Sequence, residues 1–270
     1  NDFTQLREGD TAYVRHVVNS LDGTDMWSVA DPYRLPVLIT VAIIFLILVF
    51  IFGGGPGVRG IASLLGSLVL IFYVLLPGIY AGISPILVSI GVASLIIIVG
   101  SYITHGVNRT TTAAMLGMIA TVLVTGAATY FVIQAAQLSG FTSEHNVYLN
   151  FDTQGRIDML GLLFGGIMIG LLGVLYDIAI GQAVAVAELV RAAAHYTRTE
   201  VYRRGLRIGR EHIGALINTL AIAYVGASLP LLLLFRQDDT SIGFIINSEM
   251  FATEIIRILM GSIGLILAVP

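Results

Sequence analysis

The chain has 270 residues, of which 56% are apolar and only 11% charged, and its net charge is −3. Soluble domains carry about a quarter charged residues, so a water-soluble fold is excluded, and the charge gives no case for a nucleic-acid partner. No cysteine is present and the five histidines are scattered, so disulfides, a thiolate metal site and a cysteine nucleophile are excluded, and neither metal nor cofactor is expected.

Residues 1–34 differ from the rest. Gly9-Asp10 reads as a turn, residues 13–18 as a short strand and Asp22-Gly23 as a second turn. This segment is expected to be the tail of a truncated extracytoplasmic β-rich domain, because Asn1 is not an initiator residue and no signal peptide precedes the first apolar run.

From residue 35 onward, apolar runs follow one another, each about long enough to cross a hydrocarbon core of ~30 Å. They fall near 35–52, 61–76, 85–103, 113–136, 157–176, 213–235 and 251–270. A glycine-rich turn at residues 53–57 separates the first two, and a polar loop at 138–156 precedes the fifth. The helical pattern of the fifth continues as an amphipathic segment through residues 185–194. The expected fold class is an all-α polytopic membrane protein of about seven transmembrane helices, with domains 1–34 and 35–270.

All fourteen basic residues are arginine. Eight of them, Arg59, Arg109, Arg191, Arg198, Arg203, Arg204, Arg207 and Arg210, fall on one side of the bundle, against Arg156 and Arg236 in the opposite loops. The positive-inside tendency makes the arginine side cytoplasmic, which puts the N-terminal segment and the acidic pair Asp238-Asp239 outside. The expected location is the bacterial inner (cytoplasmic) membrane. Asn108, Arg109, Arg203, Arg204, Arg207 and Arg210 read as inner-face anchors.

A charged group at a span centre costs at least about 2.5 to 3.5 kcal/mol, so polar residues inside the runs single themselves out. Asp177 interrupts the fifth run, with Gln182 beyond it and Glu188 about three turns along the same face. In the sixth, Glu211 lies about two turns before Asn218 and Thr219, and Tyr224 follows. Glu254 and Arg257 stand three apart in the seventh, the spacing of an intrahelical ion pair. The glycines at 161, 165, 166, 170 and 173 give the fifth run a small face suited to close packing or to sliding. No nucleophile with a base and an orienting group is visible, and no phosphate loop, so no enzyme is expected.

Several segments are familiar as a set. Gly170-Leu171-Leu172-Gly173-Val174-Leu175-Tyr176-Asp177 closes the fifth run. Ile208-Gly209-Arg210-Glu211-His212-Ile213-Gly214 leads to Asn218-Thr219-Leu220 and to Ala223-Tyr224-Val225-Gly226-Ala227-Ser228-Leu229-Pro230. With Tyr33-Arg34-Leu35-Pro36, Asn108-Arg109-Thr110-Thr111, Asn247-Ser248-Glu249 and Ala252-Thr253-Glu254-Ile255-Ile256-Arg257, the chain resembles the YibE/F family of bacterial membrane proteins over essentially its whole length. The resemblance implies an extracytoplasmic β-domain before the first span. Two departures stand out: Ile180-Gly181-Gln182 replaces hydroxyl residues that members often carry after the aspartate, and Ala215 replaces a threonine. A weaker likeness to SecF or RND-type units implies proton-driven conformational work, with Asp177 as relay.

Two readings follow. In the first, the protein transports or exports a small solute, coupled to protons or cations, along a path between the last three spans. Asp177, Gln182, Glu188, Glu211, Asn218, Thr219 and Tyr224 serve that path, and Glu254 with Arg257 gates or braces it. In the second, it is a non-transporting scaffold or accessory factor whose outer domain binds a protein partner. The bilayer is a partner in both, and an oligomer is compatible with either.

Overall fold

The computed structural model describes residues 7, 9–18, 25–193, 195–236 and 241–270. The turn expected at Asp22-Gly23 and the acidic pair Asp238-Asp239 lie outside the described residues. The chain divides into two compact units, Asn1–Val58 and Arg59–Pro270.

In the first unit, β1 (Ala12–Val18) pairs antiparallel with β2 (Asp25–Pro32), with a bulge between Tyr13 and Val14. The Gly9 turn is present: Asp10 N–H donates to the Arg7 carbonyl, and Arg7 N–H donates to the Asp10 carboxylate. The hairpin is pinned by Tyr13 against Tyr33, by His16 stacked 4.3 Å from Trp27, and by the His16–Asp25 contact of 3.0 Å. β2 is not among the elements read from the sequence. Among the described residues, a two-stranded sheet stands where the tail of a truncated β-rich domain was expected. Helix α1 (Leu35–Leu48) follows with Pro36 in its first turn and no buried residue, so every side of it faces outward.

Helical structure continues through a π-turn (Val49–Gly53) and α2 (Gly54–Leu70), a second π-turn (Ile71–Leu75) and α3 (Leu76–Tyr80). The remaining helices are α4 (Pro85–His105), α5 (Arg109–Ala135), α6 (Glu144–Asp152), α7 (Met159–Ala192), α8 (Arg198–Ala227), α9 (Leu229–Arg236), α10 (Ile242–Asn247) and α11 (Glu249–Leu267). Among the described residues, five helical runs are long and apolar enough to cross a membrane: Leu35–Tyr80, Pro85–His105, Arg109–Ala135, Met159–Ala192 and Glu249–Leu267. Seven were expected. The first two expected spans fall within one 46-residue run, which at ~1.5 Å per residue is about twice the hydrocarbon thickness. Gly54, with φ +53°, interrupts the helical path between them. The sixth expected span is divided: α8 carries Glu211, His212, Asn218 and Thr219, and it ends at Ser228 just before Pro230. The loop expected at 138–156 contains α6, whose Val147, Tyr148 and Phe151 are exposed.

Helix α7 is the hub of the second unit and packs against α4, α5, α8 and α11. Ser89 of α4 meets Gly165, and His105 lies beside Tyr176, so α4 and α7 run the same way. Gly205 of α8 meets Val186 while Tyr224 meets Gly170, so α8 runs opposite. The core is dense where α5 meets α7: Met118 and Val122 pack with Phe164, Met168, Leu171 and Leu175, all at most 2% exposed. In lipid such contacts stabilise by close packing rather than by leaving water, which explains the glycines of α7. Gly161, Gly165 and Gly170 admit Pro85, Ser89 and Tyr224, whereas Gly166 and Gly173 face open space.

α11 docks antiparallel to α5 through a carboxylate clamp. Glu249 accepts hydrogen bonds from Ser139 N–H (2.7 Å), the Ser139 hydroxyl (2.8 Å) and Gly140 N–H (2.8 Å) just beyond the end of α5. Near its other end, Gly264 sits against Thr125 and Leu171.

Candidate functional site

The turn between α4 and α5 is built on Asn108. Its Oδ1 accepts from Thr111 N–H at 2.9 Å and its Nδ2 donates to the His105 carbonyl at 3.0 Å. This caps the N-terminus of α5 and places Arg109 in the first turn. Thr197 and Glu200 do the same for α8 through a reciprocal capping box. Thr197 N–H and its hydroxyl donate to Glu200 at 2.8 and 2.9 Å, which positions Arg198.

These two capped N-termini meet the C-terminal half of α7 at the arginine-bearing end. There they enclose a pocket of about 730 Å³, bordered by Arg109, Ala113 and Gly117 of α5, Gln182 and Val186 of α7, Arg198 and Gly205 of α8, and Val269 after α11. A smaller pocket of about 190 Å³ adjoins it and shares Thr110, Ala183 and Ala187; His105, Asn108, Glu188 and Arg191 are among its other lining residues. Gln182, where a hydroxyl residue was expected from the resemblance, is buried: its Nε2 donates to the Gly205 carbonyl at 2.9 Å, and its Oε1 has no partner among the described residues.

Inward from this pocket runs a feature the sequence reading missed. Gly117 borders the pocket, and Thr121, Thr125 and Thr129 follow at successive four-residue steps on one face of α5, all buried. Helical hydroxyls usually back-bond to the preceding turn, as those of Ser67, Ser94 and Ser262 do. The Thr125 and Thr129 hydroxyls make no bond among the described residues, and neither does that of the buried Thr253, which lies three turns before Gly264 on the same face of α11. The threonine spacing was available in the sequence; that this face turns inward was not.

The structure distributes the expected site residues. Gln182 and Arg109 border the larger pocket, and Asn108 and Glu188 the smaller. Glu188 is exposed and paired with Arg191 at 2.6 Å, a surface pair worth little. Asp177 is exposed on α7, between the open Gly173 and Gly181, and has no partner among the described residues. Glu211, Asn218 and Thr219 are exposed on α8, where the Thr219 hydroxyl donates to the Ala215 carbonyl. Neither pocket at this end is bordered by Asp177 or Asn218, so the structure does not bring those two into one site. Tyr224, Glu254 and Arg257 do come together: Glu254 and Arg257 lie 3.4 Å apart, and the guanidinium sits 5.6 Å from the Tyr224 ring centre. Arg203, Arg207 and Arg210 are exposed, and Arg204 lies 4.4 Å over the Tyr196 ring. Among the described residues no cluster of acids and histidines could hold a metal ion.

The Glu200 cap gives a pH expectation. The Thr197 N–H and then its hydroxyl hold the Glu200 carboxyl below its ordinary 4.5, with smaller help from Arg204 and His195. An acid lowered in this way contributes fully above 4.5, and that contribution is lost as pH falls through the lowered value. Amide exchange in residues 198–201 is therefore expected to accelerate on acidification relative to E200Q, which lacks the charge at every pH. Identical pH profiles for the two proteins would refute the cap.

Long helices that carry apolar side chains outward, around a packed interior with a polar row, define a helical membrane protein. Residues 41–270 match the model of the YibE/F-like protein family, and the chain belongs to that family. No curated protein and no solved structure matches it.

Proposed function

We propose that the protein transports or exports a small solute across the bacterial cytoplasmic membrane, its arginine-bearing end inside and its N-terminal hairpin outside. The observation that carries this reading is the row of buried threonine hydroxyls that begins one turn above an open pocket. The Thr125 and Thr129 hydroxyls have no protein partner among the described residues, which leaves them free to meet water or solute in the seam. The path runs along the seam of α5 and α11, from the vestibule at Gln182 past Thr121, Thr125 and Thr129 toward Thr253. Seven crossings fit this orientation, with the Leu35–Tyr80 run supplying two and α8 with α9 a further one. Coupling to protons or cations is part of the proposal, and the Glu254–Arg257 pair braces the helix that bounds the seam. Asp177 stands outside this path.

The absence of cysteine makes a direct test simple. Single-cysteine variants T121C, T125C and T129C are to be treated in inside-out vesicles with a small, charged thiosulfonate. A water-filled seam labels them on the time scale of A113C at the pocket mouth, and A113F/T125C slows the reaction. The scaffold alternative requires a dry seam. Labelling of A113C with none at Thr121, Thr125 or Thr129 would remove the path.

A further inference from the structure

The vestibule has a charge pattern that passage of a neutral solute does not require. Arg109 opens α5 and Arg198 opens α8, and both border the pocket. Unpaired N–H groups give a helix N-terminus about half a positive charge, so the α5 end, which has no acidic residue in its first turn, and two guanidinium groups border the same space. Neither arginine has an ion-pair or hydrogen-bond partner among the described residues. Of the nearby carboxylates, Glu200 sits in the cap of α8 itself, where its charge offsets that helix end's positive charge, and Glu188 is paired with Arg191. The walls between are apolar, supplied by Ala113, Ala179, Val186, Val190 and Leu206. A volume of about 730 Å³ lies within the range of small-molecule sites, ~300 to 1,000 Å³.

We propose that this pocket binds an amphiphilic organic anion. Its phosphate or carboxylate head is clamped by Arg109 and Arg198, and its apolar body lies against Val186, Val190 and Leu206. The proposal deepens the vestibule reading by naming a substrate class, but binding is measurable without transport. The same head group can come from an anionic lipid of the adjoining leaflet or from a water-soluble amphiphile, and the two sources are separable by competition.

The test is equilibrium dialysis of radiolabelled dodecyl phosphate against the full chain in nanodiscs of phosphatidylcholine. Saturable binding is expected, and R109Q/R198Q weakens it by roughly tenfold or more, as loss of charge-assisted hydrogen bonds requires. The arginine control R203Q, outside the pocket, binds as wild type. A113F fills the mouth and abolishes binding while melting as wild type, so the outcome does not hang on folding of the double variant. Competition by phosphatidylglycerol assigns the site to a lipid; its absence, with competition by octyl phosphate, assigns it to a soluble anion. Wild-type affinity in both R109Q/R198Q and A113F, or equal affinity for dodecanol, would overturn the site. Arginine-dependent binding alongside unlabelled seam cysteines would keep the site and discard transport.

Discussion

Gly140→Ala is expected to lower the unfolding free energy by about 3 kcal/mol or more, read as a shifted denaturation midpoint in mild detergent. Three effects coincide there. Gly140 holds φ +86°, where a side chain costs roughly 1–2 kcal/mol. A Cβ would strike the Met159 carbonyl at the entrance to α7, and such overpacking costs about 1–3 kcal/mol. Relief of that clash moves the Gly140 N–H away from Glu249, weakening the clamp between α5 and α11. E249Q keeps the side-chain shape but loses the charge and one of the two acceptor oxygens, so a smaller loss of about 1–2 kcal/mol is expected. Wild-type stability in G140A would show that the segment beyond α5 is free to shift and that the clamp does not fix α11.

Glu254→Gln is the second large effect. Both partners of the Glu254–Arg257 pair are about a quarter exposed, so removing one costs less than the ~3–5 kcal/mol of a fully buried pair. About 2–3 kcal/mol is expected, because Arg257 keeps its charge among membrane helices with only the Tyr224 ring beside it. R257M leaves Glu254 in the same position. The double variant E254Q/R257M is expected to recover most of the loss, since neither group is then left charged and alone. Strictly additive losses would show that the two side chains do not act as a pair. A bracing role predicts that flux and stability fall together across this cycle, whereas a gating role predicts changed flux at constant stability.

The clearest lesson concerns which face of a helix looks inward. Asp177 is conspicuous in the sequence because it breaks an apolar run, yet α7 turns it outward beside two open glycines. Thr121, Thr125 and Thr129 are inconspicuous, since threonine is tolerated anywhere in a span, yet α5 turns all three into the core. Asn218 and Thr219 follow the same logic in α8: Gly205, Gly209 and Leu220 are its buried residues, which leaves the other face exposed. In soluble helices a polar face reveals the buried one. α4, α5 and α7 are apolar almost all round, so their periodicity carries no such signal.

The Glu254–Arg257 spacing was legible because an ion pair three residues apart needs only local geometry. Asn108 and the Thr197–Glu200 cap are likewise local, although from the sequence Asn108 reads only as an inner-face anchor and Thr197 is not singled out. Gln182, in contrast, acquired its role through Gly205 of a helix remote in sequence, a contact that no window of residues could forecast.

By itself, then, the sequence determined the medium: runs of apolar residues of bilayer length cannot be kept in water. It also carried the family resemblance. The tertiary structure alone decided which groups share a site. In a bilayer the solvent is as apolar as the core, so composition does not distinguish inside from outside, and only the packing of α7 against its four neighbours does.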